Sequence, residues 1–299
     1  MKKNNIFLFV IIGLLFISSL FAAYKIITIK QTYTEAEKIY DALDDYKPNV
    51  IQETAVSNSD SNQDTDRLTQ AIQRPTKKEW LLEYINEGEN KEEIPEAVLQ
   101  VRALQEKYPD VVGWITIPGT TLDYPVAQSK DNSFYLRRDL DKKYLYSGTP
   151  FLDCNCDRDF SGQNSIIYGH HMQNDTMFHA LVEYKNKAFF DEHPVIYLVL
   201  PDRIIEAQVV AAMVIDVATV DFPYQTVVGE NYIEKCVKIA RNSLEKWEPE
   251  EGEQYLTLSS CDYEFNNARI VVVARFRNTS NTGEEQYAKQ ESSDTAPAG

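Results

Sequence analysis

From Val111 onward, apolar and polar positions alternate with a period of two. VVGWITIPG, TLDYPVAQ, SGTPFLDC, NSIIYGH, PVIYLVLP, RIIEAQVVAAMVID, EQYLTLSSC and ARIVVVARFRN all read as strands separated by turn-rich segments. Eight short strands in about 170 residues predict a mainly β fold, a closed or nearly closed antiparallel-dominated barrel or sandwich. One stretch breaks the alternation. ENYIEKCVKIARNSLEKW, residues 230–247, has the spacing of an amphipathic helix between the sixth and seventh strands.

Upstream the period is helical. TKKEWLLEYINEG, from Thr76, and IPEAVLQVRALQEKYPD are both predicted helices, expected to pack on the strands that follow. In the second, Ala97, Val101, Leu104 and Tyr108 repeat at helical spacing, and Pro95 suits a first turn. Residues 48–75 are polar and rich in Ser, Asn, Asp and Gln, which predicts a flexible stalk, and residues after Asn278 predict a disordered tail. No internal repeat is present.

The N-terminus changes the picture most. IFLFVIIGLLFISSLFAAY, residues 6–24, is a run of 19 without a charge. At about 1.5 Å per residue it just spans a hydrocarbon core of roughly 30 Å. Lys2 and Lys3 favour a cytoplasmic N-terminus, which puts the remainder outside. Residues 25–44 fit an outward continuation of that helix. A cleaved secretory signal is the competing reading, with small residues between Ser19 and Ala23. Leu20 and Phe21 make that a poor cleavage site, and the apolar run exceeds a usual signal core. Either way the body is exported.

Charge and cysteine usage then narrow the chemistry. The 299 residues carry 30 Lys+Arg against 46 Asp+Glu, a formal net charge of −16, which argues against nucleic acid as a partner. Four cysteines in an exported chain ordinarily suggest disulfides. Cys154 and Cys156, however, stand too close together for a comfortable bridge, and Cys236 falls in the predicted helix. A free, working thiol therefore stays open.

Strand parity singles out Cys261. In EQYLTLSSC, Leu256 and Leu258 share one face, and Thr257, Ser259 and Cys261 the other. If the leucines line the core, Cys261 points outward at the strand's end. The plain alternative for any lone cysteine is a small buried hydrophobe. A thiol nucleophile needs a base or a cationic partner, because only the thiolate attacks. Among His170, His171, His179 and His193, His170 also ends a predicted strand, so the two can share a rim. His193 reads as a turn residue and His179 as packing against the stretch that follows it. Arg269 opens the next strand. It is either an ion-pair partner of Asp262 or Glu264, or a fixed cation for a substrate carbonyl or developing oxyanion. Cys154, Cys156, His170 and His171 include zinc-type ligands, but the spacing is not a standard zinc pattern.

Four ordered motifs carry a family resemblance. TLSSC at 257–261 with RIVVVAR from Arg269, GWITIPGTTLDYPVAQSKDNSFYL at 113–136 and SIIYGHHM at 165–172 together resemble the sortases, the cysteine transpeptidases of Gram-positive cell surfaces. The resemblance covers about residues 77–278, and the helices before the barrel and before the cysteine strand are similar to class B. It implies an eight-stranded sortase-type β-barrel, with two N-terminal helices and a helix between strands 6 and 7. It implies Cys261 as nucleophile, His170 as general acid/base and Arg269 as stabiliser of bound backbone and oxyanion. His170 is taken over His171 because the family's histidine directly follows the Gly of Y-G-H. Asn132 and Leu136, from the D-N-x-x-Y-L stretch, and Ser259 are implied in the substrate groove, with Asp262 a further contact.

The chain then divides into a cytoplasmic N-terminus (1–5), a single-pass transmembrane signal-anchor (6–24), an extracellular stalk (25–75), a catalytic domain (76–278) and a tail (279–299). The implied reaction cleaves a C-terminal sorting signal of a surface protein after threonine through a thioester. An amine of peptidoglycan or of a pilin then takes the acyl group. An Asn-Pro-x-Thr type of signal is favoured over Leu-Pro-x-Thr-Gly. No carboxylate cluster calls for a divalent cation, and no cofactor is expected. Two rivals remain: a cysteine hydrolase using water, and a non-catalytic surface binding domain. With ordinary pKa values, thiolate is about 3% and imidazolium about 24% at pH 7, so independent groups are in the active pairing in under about 1% of molecules.

Overall fold

The structure, a computed structural model, describes residues 2–50, 94–229, 231–246 and 252–277. The predicted helix at 76–88, the expected stalk beyond Val50 and the tail lie outside the described residues. All eight predicted strands form: β1 (Val111–Thr116), β2 (Asp123–Ala127), β3 (Phe151–Leu152), β4 (Asn164–Tyr168), β5 (Val195–Val199), β6 (Ile204–Asp216), β8 (Glu253–Cys261) and β9 (Ala268–Arg277). They hydrogen-bond in the order β5-β1-β2-β3-β4-β8-β9-β6, and β5 pairs with β6 to close the ring. The result is the eight-stranded barrel that the alternation and the resemblance lead one to expect. Pairing is antiparallel except at β2–β3 and β4–β8.

A ninth strand, β7 (Asn242–Ser243), pairs with β6 at Ala211–Ala212. It falls inside the predicted 230–247 helix, which is helical only as α5 (Tyr232–Ile239). Ala240 turns to extended backbone, the Asn242 amide donates to Tyr184 O at 2.8 Å, and Leu244 N donates to Val210 O. Bonds to the barrel thus replace the last helical turns.

The core explains the composition of β9. Ile270, Val272 and Ala274 point into the barrel with Leu256, Leu258 and Ile167. Val271 and Val273 face outward, yet they are covered by Tyr232, Ile233 and Cys236 of α5. Buried on both faces, the strand reads as a continuous apolar run, IVVVA. Each such side chain contributes about 1.5–3 kcal/mol by leaving water.

Helix α2 (Glu96–Lys107) buries Ala97, Val98, Val101 and Leu104 against Val111, Trp114 and Val199, the face predicted from its spacing. Pro95 stands at its N-cap. Helix α1 (Lys2–Asp41) carries exposed apolar side chains from Ile12 to Ile29. It is long and apolar enough to cross a membrane by length and composition. Its last turns differ. Tyr33, Ala36 and Tyr40, with Leu43 just beyond, repeat at three- and four-residue spacing and lie against the barrel.

Candidate active site

The parallel β4–β8 pair builds the site. Its register runs from Asn164 opposite Tyr255 to Tyr168 opposite Ser259. Beyond that pair, Gly169 N donates to Ser259 O at 3.1 Å, and Ser260 Oγ donates to Gly169 O at 2.8 Å. One step further, His170 and Cys261 leave neighbouring strands at the same rim, where strands are about 4.8 Å apart. Two antiparallel strands would have put these two ends at opposite rims. In the β8–β9 ladder Cys261 is directly opposite Arg269, so both side chains share the outward face. Leu256 and Leu258 are fully buried inside, which fixes Cys261 outward and half-exposed. Gly169 must be glycine here: a Cβ would lie 2.4 Å from the Phe178 ring.

His170 is held from two sides. Its Nε2–H donates to Leu136 O at 2.8 Å, and its own carbonyl accepts from Phe178 N at 2.9 Å. A carbonyl only accepts, so Nε2 carries the proton and Nδ1 is left for chemistry. Burial lowers the His170 pKa below the ordinary histidine value, against the raising effect of the Leu136 bond. Leu136 lies in a short 3-10 turn, Phe134–Arg137. Asp131 caps that turn by accepting from Ser133 N and Phe134 N, and Tyr135 OH pins it by donating to Asp110. The Leu136 side chain itself is exposed.

Ser259 is buried beneath the outward face, its hydroxyl 2.9 Å from Tyr224 OH. Tyr224 stacks on Tyr168, and its bond to Ser259 seats it on the face that carries Cys261 and Arg269. Asn132 lies behind this aromatic floor. Its amide donates to Asp153 at 2.7 Å and accepts from Cys154 N at 2.8 Å, while Tyr168 OH donates to the same Asp153 carboxylate. Asn132 therefore ties the loop after β3 to the floor.

Asp262 turns away from solvent, its side chain 2% exposed, and pairs with Lys185 Nζ at 2.8 Å. Lys185 also reaches Glu264 at 3.1 Å, and Arg241 takes the other side of Glu264. Both carboxylates offered by the sequence as partners of Arg269 are thus engaged elsewhere. Among the described residues Arg269 has no carboxylate partner; its Nη1 donates to Ala268 O. His171, next to His170, donates from Nδ1 to Cys261 O at 3.1 Å and stacks near Tyr263. His193 bonds Pro118 O at a turn just after the helix α4 (Lys187–Glu192), and His179 precedes the short helix α3 (Ala180–Glu183).

All four cysteines are free. Burial pushes the Cys156 and Cys236 thiols up to about 12, so these two are inert structural thiols. Among the described residues no group of three or more His, Cys, Asp or Glu is gathered as a metal site.

The site thus brings together His170, Cys261, Arg269, Ser259 and Leu136, while Asn132 and Asp262 stand behind it in hydrogen bonds of their own. Sequence reading passed over Tyr224, Tyr168 and Lys185. The aromatic-flanked proline of DFPYQ was an available signal for Tyr224. Lys185 had none, since its partner lies 77 positions away.

Comparison with known proteins fits this geometry. The sequence profile of the Sortase domain matches residues 115–277. Sortase B of Listeria monocytogenes is 33% identical over 181 residues, covering 58% of this chain and 72% of that protein. Sortase B of Staphylococcus aureus is 30% identical over 191 residues, covering 59% and 74%. The crystal structure of Clostridium perfringens sortase B superposes with a TM-score of 0.56 at 30% identity, over 59% of this chain and 99% of that one. Fold and likeness define the class as cysteine transpeptidases. The chain belongs to the sortase family, and within it is most like class B.

Proposed function

We propose that Cys261 is the nucleophile of this transpeptidase, His170 its general acid/base and Arg269 its oxyanion partner. The observation that carries the assignment is the shared register: a parallel pair and a cross-strand pair bring three side chains to one face of one rim. The Cys261 thiolate attacks the carbonyl carbon of a threonine in a sorting signal, and the carbonyl electrons move onto oxygen. Arg269, with no carboxylate partner among the described residues, donates to that oxyanion. His170 keeps Nε2–H on Leu136 O and delivers its other proton from Nδ1 to the leaving amine as the C–N bond breaks. The thioester is then attacked by an acceptor amine, whose proton returns to His170 as the thiolate leaves.

Leu136 and Ser259, at the groove, contact the substrate. Asn132 and Asp262 act from behind, through the loop and the strand end that they hold. The sorting signal is of the Asn-Pro-x-Thr type, and the acceptor is an amine of peptidoglycan or a pilin. The first apolar stretch of α1 anchors the chain once through the membrane, N-terminus inside, with the barrel outside. The lowered His170 pKa reduces the imidazolium share below the ordinary value of about 24% at pH 7, so turnover runs through a minority form.

The test incubates the full chain in detergent with Asn-Pro-x-Thr and Leu-Pro-x-Thr-Gly peptides, with and without a triglycine acceptor. Products are read by mass spectrometry. Cleavage after threonine with amine-linked product, lost in Cys261→Ala, is the expected result. Hydrolysis that no amine diverts, or full activity in Cys261→Ala, would sink the assignment.

A further inference from the structure

We propose that Tyr40 is a positioning residue for His170, so that the seating of the α1 helix on the barrel sets the orientation of the imidazole. The inference rests on the role of His170 proposed above. Tyr40 is the point where the last turn of α1 grips the barrel, and it touches both walls that hold the ring.

The first wall is the Leu136 side. Tyr40 OH donates to Gly148 O at 2.5 Å. Gly148 has a left-handed backbone, φ 61°, and packs so closely under the 3-10 turn that a Cβ would lie 2.6 Å from Leu136 O. Leu136 O is the atom that accepts His170 Nε2–H. Thr149 N, one residue on, donates to Tyr135 O, so the two strips of chain move as one.

The second wall is the loop after His170. The Tyr40 ring meets the Tyr124 ring edge-on, centroids 4.9 Å apart at 80°. Tyr124 OH accepts from Met177 N at 3.0 Å, and Met177 bridges to His171. The next residue, Phe178, donates its N–H to His170 O and lays its ring over Gly169. Tyr33 packs with Tyr40 on the same cluster of Tyr124, Met172 and Met177. Release of α1 would therefore loosen the acceptor of the ring and the backbone of its residue together. A 1 Å misplacement of a catalytic group is enough to cost about a hundredfold in rate.

Tyr40→Phe tests this in the full chain held in lipid nanodiscs. It keeps the ring on Tyr124 and removes only the hydroxyl, with its bonds to Gly148 O and to the Thr149 and Ser147 side chains on the same strip. The first readout is the titration of His170 by nitrogen-15 NMR of histidine-labelled protein, its signal identified among four histidines with His170→Gln. A weaker Leu136 bond favours the charged ring less, so the titration is expected to move to lower pH. In the peptide assay kcat falls about tenfold with KM unchanged, and the alkaline limb of the pH profile moves with the titration. Gln31→Ala, exposed on the face of α1 opposite Tyr33, Ala36 and Tyr40, behaves as wild type. A His170 titration in Tyr40→Phe identical to wild type overturns the inference. So does an activity loss that only tracks lost folded protein. A shifted titration in a chain whose His170→Gln variant remains active would instead sink the catalytic reading of His170 and leave this coupling standing.

Discussion

Lys185→Met isolates the pair that holds the strand end behind Cys261. Methionine keeps the apolar stem and removes the charge, leaving the Asp262 carboxylate 2% exposed with one remaining donor, Glu264 N at 3.0 Å. Removing one partner of a buried pair costs about 3–5 kcal/mol. Here the lysine is 23% exposed and one donor survives, which favours the lower end, about 3 kcal/mol. For a domain of this size that is a fall in Tm of about 6–12 °C. The pH dependence has a definite sign. Burial raises the Asp262 pKa, but Lys185 and the Glu264 amide outweigh it and hold the carboxyl below its ordinary value. A depressed carboxyl contributes stability that is fully present above the unfolded value of about 3.9 and lost as pH falls through the folded value. In the variant burial is no longer outweighed. The gap between the two proteins is therefore full at pH 7, begins to narrow as pH falls through the variant's raised value, and closes below the lowered wild-type value. Thermal unfolding of both full chains by near-UV circular dichroism measures it, with Lys185→Met/Asp262→Asn as the partner-free control. A drop under about 3 °C at pH 7, corresponding to under 1 kcal/mol, would refute the reasoning. So would a double variant that recovers none of the loss.

Two further outcomes follow from the site. Arg269→Gln is expected to lower kcat/KM by about 10²–10³, the usual cost of one oxyanion donor, with thermal stability close to wild type; a peptide assay that finds under a fivefold loss, about 1 kcal/mol, removes Arg269 from the mechanism. Iodoacetamide at pH 7 is expected to label Cys261 and spare Cys156 and Cys236, whose burial suppresses the thiolate. Peptide mapping before and after unfolding in urea reads the difference, and labelling of Cys236 in the folded chain would contradict its burial between α5 and β9.

What the sequence made legible was whatever depends on one strand or helix at a time. Alternation located eight strands because each has one face in the barrel, and the parity of Leu256 and Leu258 alone placed Cys261 outward. The helix at 230–247 was over-extended because periodicity cannot register that Asn242 would find a better partner in Tyr184 O. Leu136 entered as a substrate contact by resemblance, whereas its backbone carbonyl is what holds His170, and a carbonyl has no signature in sequence. Asp262 likewise came as a groove residue, and Lys185, decisive for its orientation, is distant in the chain. The docking stripe Tyr33, Ala36, Tyr40 and Leu43 was present in the sequence, but its partners are revealed only by the fold.

The parallel pairing of β4 with β8 has a consequence in time. Gly169 and Ser260, bonded across it, are 91 positions apart, with α3, β5, β6 and α5 between them. Contacts of such separation form late, because the intervening chain must be ordered before they are rewarded. Among the described residues only β9 follows β8. His170 and Cys261 therefore come together only when β4 and β8 pair, after the segments between them have ordered. On the roles proposed for them, the two groups act only once the barrel has closed.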